Sequence, residues 1–177
     1  MLEPDELRRL IRTARREPLL PAGAGATVSV GACELQRLLP HRPPMLLVDG
    51  VDAVDIDRGA VRGHRRLRAD DVGFAGHFPG APIYPGVLVV EAMGQLGLTL
   101  LHFAGAGRVD VPMETSPPPV RATHVHHASF IASFAPGDTM VLHARVVHQD
   151  YTFIAIGQAW KGSTLAAIAV SEVYVDV

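Results

Sequence analysis

From Val87 to Phe103 the chain runs through seventeen residues that are apolar on nearly every side of a helix and carry one charge, Glu91. A helix with a single apolar stripe lies on a surface, whereas one apolar all round must be enclosed. The rest of the sequence has to supply the enclosure. Upstream, Glu34 to Leu39 suggests a helical turn halted by Pro40. Met45 to Ile56 and Gly59 to Leu67 then read as paired strands joined by a turn at Asp57-Arg58-Gly59. Downstream, four β-rich stretches fall at roughly 121–134, 139–149, 151–160 and 164–176, with turn signals at Pro136-Gly137-Asp138 and Lys161-Gly162-Ser163. Strands, one long buried helix and further antiparallel strands make an α+β order. A curved antiparallel sheet wrapped around the helix satisfies it.

Composition narrows the function. Of 177 residues, 48% are hydrophobic and 19% charged, enough apolar material for a real core. The formal charge of −2 disfavours a general nucleic-acid binder. A single cysteine, Cys33, excludes an intramolecular disulfide framework and a Cys-rich zinc site. The long apolar stretch contains Glu91, Gln95, His102 and several glycines, so it does not read as a membrane span. The first residues alternate charge with leucine, unlike a secretory signal. A soluble cytoplasmic protein is the expectation. Pro4 to Arg16 places Leu7, Leu10 and Ile11 at helical spacing with acids in the first turn, and Pro18, Pro21 and Gly23-Ala24-Gly25 then break regular structure. Residues 1–30 are therefore read as an N-terminal helix and linker, and residues 31–177 as the main domain.

The chemistry concentrates between Gly76 and Gln95. Three prolines and three glycines lie between Gly76 and Val87, so the loop is stiff and holds His77 in place. The loop ends at Pro85-Gly86, where the buried helix begins. A helix start offers unpaired N–H groups and partial positive charge, which suits a developing oxyanion such as that of a thioester carbonyl. Glu91 sits one turn further on among apolar neighbours, so it must find a partner or carry a raised pKa. A carboxyl kept protonated near neutral pH acts as a general acid. Gln95 follows at i+4 on the same helix face. One polar stripe on an apolar helix points to a lined pocket.

The run His77-Phe78-Pro79-x-x-Pro82-x-x-Pro85-Gly86-Val87-Leu88-x-x-Glu91-Ala92-x-x-Gln95 resembles the signature of the 3-hydroxyacyl-[acyl-carrier-protein] dehydratases of FabZ/FabA type, with the same step of 14 residues from His to Glu. Leu38-Leu39-Pro40-His41-Arg42-x-Pro44-x-Leu46-Leu47-Val48-Asp49 resembles the family's opening motif, and Pro136-Gly137-Asp138 a late turn. The resemblance implies a hotdog fold, an α+β arrangement in which a curved antiparallel sheet wraps one long helix. It implies a homo-oligomer, a dimer or a trimer of dimers, with active sites at the dimer interface, the His from one subunit and the acid from the other. The substrate it implies is a 3-hydroxyacyl chain on the 4'-phosphopantetheine of acyl carrier protein, dehydrated to the trans-2-enoyl thioester in fatty-acid or polyketide-type biosynthesis. No metal or organic cofactor is implied. The implied roles are His77 as base, Glu91 as the acid that orients or protonates the departing hydroxyl, and the Gly86 N–H as carbonyl donor. Gln95 supports them, and Tyr84 and Phe78 stand at the mouth or wall of the acyl tunnel.

The sequence departs from that pattern in places. Before Pro136-Gly137-Asp138, where the family carries a basic pair that helps hold the carrier, stands His127-Ala128-Ser129-Phe130-Ile131-Ala132-Ser133-Phe134. A substitute docking face is Arg62, Arg66 and Arg68, which with His64 share one side of a strand at period two and suit an acidic partner. His124, His126 and His127 read as strand polar residues, with no nearby carboxylate or cysteine to complete a metal site. His41 and Arg42 read as braces of the dimer or of the active-site loop. Two alternatives remain beside the dehydratase: an acyl-thioester hydrolase on the same fold, and a non-catalytic acyl-binding partner subunit.

Overall fold

The computed structural model describes residues 3–149 and 152–175. Tyr151 and Asp176, expected at the ends of two strands, lie outside the described residues. The enclosed helix is α3, Gly86–Ala106, longer than the sequence predicts and closed by Gly107 in the left-handed conformation at φ 61°. Among the described residues seven strands surround it: β1 (Ala26–Val30), β2 (Gly50–Asp55), β3 (Ala60–Arg66), β4 (Val120–Phe130), β5 (Thr139–Gln149), β6 (Thr152–Lys161) and β7 (Thr164–Val175). They form one sheet in the order β1-β2-β3-β5-β6-β7-β4, and every neighbouring pair is antiparallel. This is the α+β hotdog architecture.

Alternation sorts the sheet into two faces. Val61, Leu142, Ala144, Ala167 and Ala169 turn inward with Met93, Leu96, Leu100 and Phe103 of α3 to form the main core. By length and composition α3 could cross a membrane, yet the sheet wraps it and half of its apolar stretch is buried, so it is the core helix.

Part of the outer face is covered by the N-terminal segment. Helix α1, Pro4–Ala14, lays Leu7, Leu10 and Ile11 on Ile154, Ile156, Ile168 and Val170 of β6 and β7. The chain then crosses the sheet as a strap. Gln158, fully buried, accepts the Leu19 N–H at 2.9 Å and donates to the carbonyls of Ala14 and Glu17. Leu20, fully buried, sits with Ala53 and Ala60 of β2 and β3. The sequence reading ends its linker near residue 30. In the structure the last five residues of that stretch are β1, an edge strand paired with β2. Its short Ala-Thr-Val-Ser-Val run carried too little pattern to mark it.

A second difference lies at 45–49. The predicted strand starts only at Gly50. Leu46, Leu47 and Val48 are buried, as their apolar character requires, but they pack as a loop pinned to α3. Glu34–Leu39, predicted as a helical turn, is helix α2, Ala32–Leu38. At the far side β4 ends the sheet, paired among the described residues with β7 alone, and it carries exposed Val125 and Phe130, followed by exposed Ile131.

Candidate active site

His77 stands in the loop before α3, fixed by backbone bonds. The Ile83 N–H donates to the His77 carbonyl at 2.9 Å, and the Tyr84 N–H to the Phe134 carbonyl at 2.8 Å. The ring adds a third anchor, because His77 Nδ1 lies 2.9 Å from the Ile83 carbonyl oxygen. A carbonyl only accepts, so Nδ1 carries a proton, and in the neutral ring the lone pair is on Nε2. The His77–Phe78 peptide is cis, and the two rings stack at 4.1 Å. Phe78 is exposed.

His77 borders a cavity of about 540 Å³ lined by Tyr84, Gly86, Phe130, Ile131 and Phe134. Tyr84 is buried, edge-on to Phe74 at 5.3 Å. Burial pushes its phenol up, with the Arg65 guanidinium pulling the other way. Gly86 is the first residue of α3, after the Pro85 N-cap. Leu88 and Val89 direct their N–H groups at the Pro85 carbonyl, so Gly86 and Val87 are left with the unpaired N–H groups of the helix start. A Cβ at Gly86 would lie 2.7 Å from the Phe130 ring, so glycine lets the aromatic side chain close over the helix start.

Glu91 is elsewhere. It does not line the His77 cavity, and its partners are its own. Gln95 Nε2 donates to Glu91 Oε1 at 2.8 Å, and His41 Nε2 lies 3.2 Å from the same oxygen. Gln95 is 1% exposed, accepts the Leu47 N–H at 2.7 Å and donates to the Met45 carbonyl at 2.7 Å. The His41 hydrogen bond, with the Gln95 amide adding to it, holds the Glu91 carboxyl below the usual carboxylate range against the opposing effect of burial. Of the two sequence expectations for Glu91, a partner or a raised pKa, the partner is realised. Its side chain is 39% exposed, on a strip of α3 that the chain's own sheet leaves open. The expected pocket lined by the Glu91–Gln95 stripe is therefore not formed within one chain.

The arginines divide. Arg62 and Arg66 lie on the outer sheet face with His64, which pairs with Asp52 at 2.9 Å. Arg68 falls beyond the strand and pairs with Asp70 at 3.2 Å. Arg65 turns inward and binds Asp49 and Asp71 at 3.0 and 2.8 Å. His126 Nε2 lies 2.7 Å from Glu172 Oε2, so a carboxylate does stand beside the histidines of β4. The sequence hid it 46 positions away, on β7. Among the described residues no cluster of three His, Cys, Asp or Glu has metal-binding geometry.

His41 was the residue sequence reasoning undervalued. It lies 50 positions from Glu91, and only its place in the opening motif hinted at a role. Arg42 fixes that stretch by donating to the Leu39 and His41 carbonyls at 2.8 and 2.7 Å.

Comparison with known proteins identifies the family and the fold. The FabA-like domain matches residues 39–169. The 3-hydroxyacyl-[acyl-carrier-protein] dehydratase FabZ of Campylobacter jejuni (strain RM1221) is 35% identical over 141 residues, 79% of this chain and 93% of that protein. The dehydratase FabZ of a Nitratiruptor species is 33% identical over 138 residues, 77% and 90% of the two chains. Among solved structures, the dehydratase heterocomplex ApeI:P from Xenorhabdus doucetiae superposes with a TM-score of 0.59 at 18% identity, covering 81% and 91% of the two chains. The E. coli PaaI protein gives a TM-score of 0.52 at 14% identity, covering 70% and 80%. These two share the fold. The family match spans most of the chain, from before the loop of His41 to within β7, and the chain belongs to the FabA-like family.

Proposed function

We propose that this chain dehydrates a 3-hydroxyacyl thioester, carried on the phosphopantetheine of acyl carrier protein, to the trans-2-enoyl thioester. The reaction belongs to fatty-acid or polyketide-type biosynthesis in the cytoplasm and needs no cofactor. The observation that carries the proposal is His77, whose Nδ1 is anchored on the Ile83 carbonyl so that Nε2 is the ring nitrogen left to face a substrate. In the elimination, His77 Nε2 takes the proton from the α-carbon. The C–H electrons form the Cα–Cβ double bond, and the Cβ–oxygen bond breaks. Enolate charge on the thioester oxygen meets the Gly86 N–H at the helix start. Glu91, ionised, accepts a hydrogen bond from the β-hydroxyl and orients it. The His77 imidazolium returns its proton to the departing oxygen, so water leaves and His77 is neutral again.

Because His77 and Glu91 keep separate partners within one chain, the proposal places His77 of one subunit opposite Glu91 of a second copy. The open edge of β4, with exposed Val125 and Phe130 and the following Ile131 beside the His77 cavity, supports that pairing. Arg62 and Arg66 are the proposed face for an acidic carrier protein, with Arg68 weakened by Asp70.

Hydration of a short trans-2-enoyl pantetheine thioester, followed by loss of enoyl absorbance, tests the assignment. His77→Ala and Glu91→Gln should each lower the rate by about 10²–10⁴-fold. Mixing the two inactive variants should restore about a quarter of wild-type activity, since statistical exchange leaves one intact site in half of the dimers. Release of free thiol instead would point to thioester hydrolysis. Inertness alone, with activity on adding a related chain, would point to a partner subunit.

A further inference from the structure

Among the described residues, Glu91 is held through one oxygen. Gln95 Nε2 and His41 Nε2 both approach Oε1, at 2.8 and 3.2 Å, from opposite origins: Gln95 from one turn along α3, His41 from the segment before β2. Each donor is itself fixed. Gln95 is locked between the Met45 carbonyl and the Leu47 N–H, and Arg42 pins the backbone on which His41 rides. We propose that His41 is a positioning residue: with Gln95 it clamps Glu91 by Oε1 and so presents Oε2 as the atom that meets the substrate's β-hydroxyl. The inference rests on the dehydratase assignment above.

The other nitrogen of His41 decides what kind of donor it is. Nδ1 is buried and has no hydrogen-bond partner among the described residues. An imidazolium would bury an N–H without an acceptor, whereas the neutral ring with its proton on Nε2 buries only a lone pair. The contact with Glu91 is therefore made through Nε2, the ring nitrogen that lies 3.2 Å from Oε1. The groups facing Glu91 are few. Gln95, from its own helix, is uncharged, His41 faces it from the 39–49 segment, and the neighbouring Arg42 turns to carbonyls at Leu39 and His41. The Glu91 carboxyl is held low first by His41, against burial, with the Gln95 amide adding to it, so both members of the clamp act on the same group.

The test compares wild type, His41→Ala and His41→Gln on trans-2-butenoyl pantetheine. A carbon-13 titration of the Glu91 carboxyl in the same proteins reads the clamp directly. His41→Ala should lower kcat by about 10²-fold with KM changed less than about threefold, as for an interaction that matters in the transition state. The Glu91 carboxyl should titrate higher. His41→Gln, which keeps an N–H donor, should recover about tenfold of the loss and return the carboxyl toward its wild-type value. If His41→Ala does not fold, His41→Asn, too short to reach Glu91, takes its place with the same expectations. An active wild type whose variants keep kcat, lose only KM, leave the carboxyl titration unmoved, or show no rescue by glutamine overturns the proposal alone. A wild type inert on the thioester overturns the dehydratase assignment and this inference with it.

Discussion

Gly157 of β6 lies directly beneath Met93 of α3, and a Cβ built on it would fall 2.7 Å from the Met93 Cβ and 3.3 Å from its Cγ and Sδ. No rotamer of Met93 relieves the first contact, because Cβ is fixed to the helix backbone. Gly157→Ala should therefore push helix and sheet apart and destabilise the protein by about 1–3 kcal/mol. Gly105→Ala, near the exposed end of α3 with nothing within 4 Å, is the control. It should be neutral or stabilise by up to about 1 kcal/mol. Urea unfolding of the two variants decides the point.

Gly86 meets a softer neighbour. The atoms a Cβ would strike, at 2.7 to 3.0 Å, belong to the ring of Phe130, which is exposed and free to swing. Gly86→Ala should leave the unfolding midpoint within about 1 kcal/mol of wild type while lowering kcat/KM, because the displaced ring reshapes the cavity at the helix start. Phe130→Leu added to Gly86→Ala should recover part of the loss. Additive losses in the double-mutant cycle would contradict this coupling.

His143 links the strap to pH. It is buried at the outer sheet face, where its Nδ1 faces the Leu20 N–H at 3.4 Å. Burial, helped by the charge of Arg62, lowers its pKa to about 4. The unfolded chain binds this proton near pH 6.5 and the folded chain does not, so stability is complete above pH 6.5 and falls as pH drops toward 4. The full loss is about 3 kcal/mol. Melting temperature should decline across that window, and His143→Gln, which keeps an acceptor for Leu20 without a titrating ring, should remove most of the decline. An equal slope in the variant would exclude His143 as its source.

The core was legible because it is local. A seventeen-residue run that is apolar on nearly every side announces an enclosed helix, and the turn at Pro136-Gly137-Asp138 punctuates the strands around it. His77 and Glu91 were legible through one contiguous motif. What escaped depends on distant pairings. Met45–Asp49 has the composition of a strand, but Gln95 takes the Met45 carbonyl and the Leu47 N–H that a neighbouring strand would need. The carboxylate beside His126 comes from Glu172 through the β4–β7 register, which no periodicity within either strand reveals. Glu91 looked isolated because its neighbours in sequence are apolar, while its partner His41 arrives from a loop.

The strap over the outer face also changes how the molecule opens. β6 and β7 are covered by α3 on one side and by α1 with Leu19 on the other, which is why apolar residues run along both faces of these antiparallel strands. Their amide hydrogens are shielded from solvent in a way those of β4, with its bare edge, are not. Exchange with deuterium should therefore proceed in two regimes. β4 trades its amides through local fraying, whereas β6 and β7 wait for the helix and strap to come off together. The N-terminal segment thereby becomes part of the slowest-opening unit of the protein.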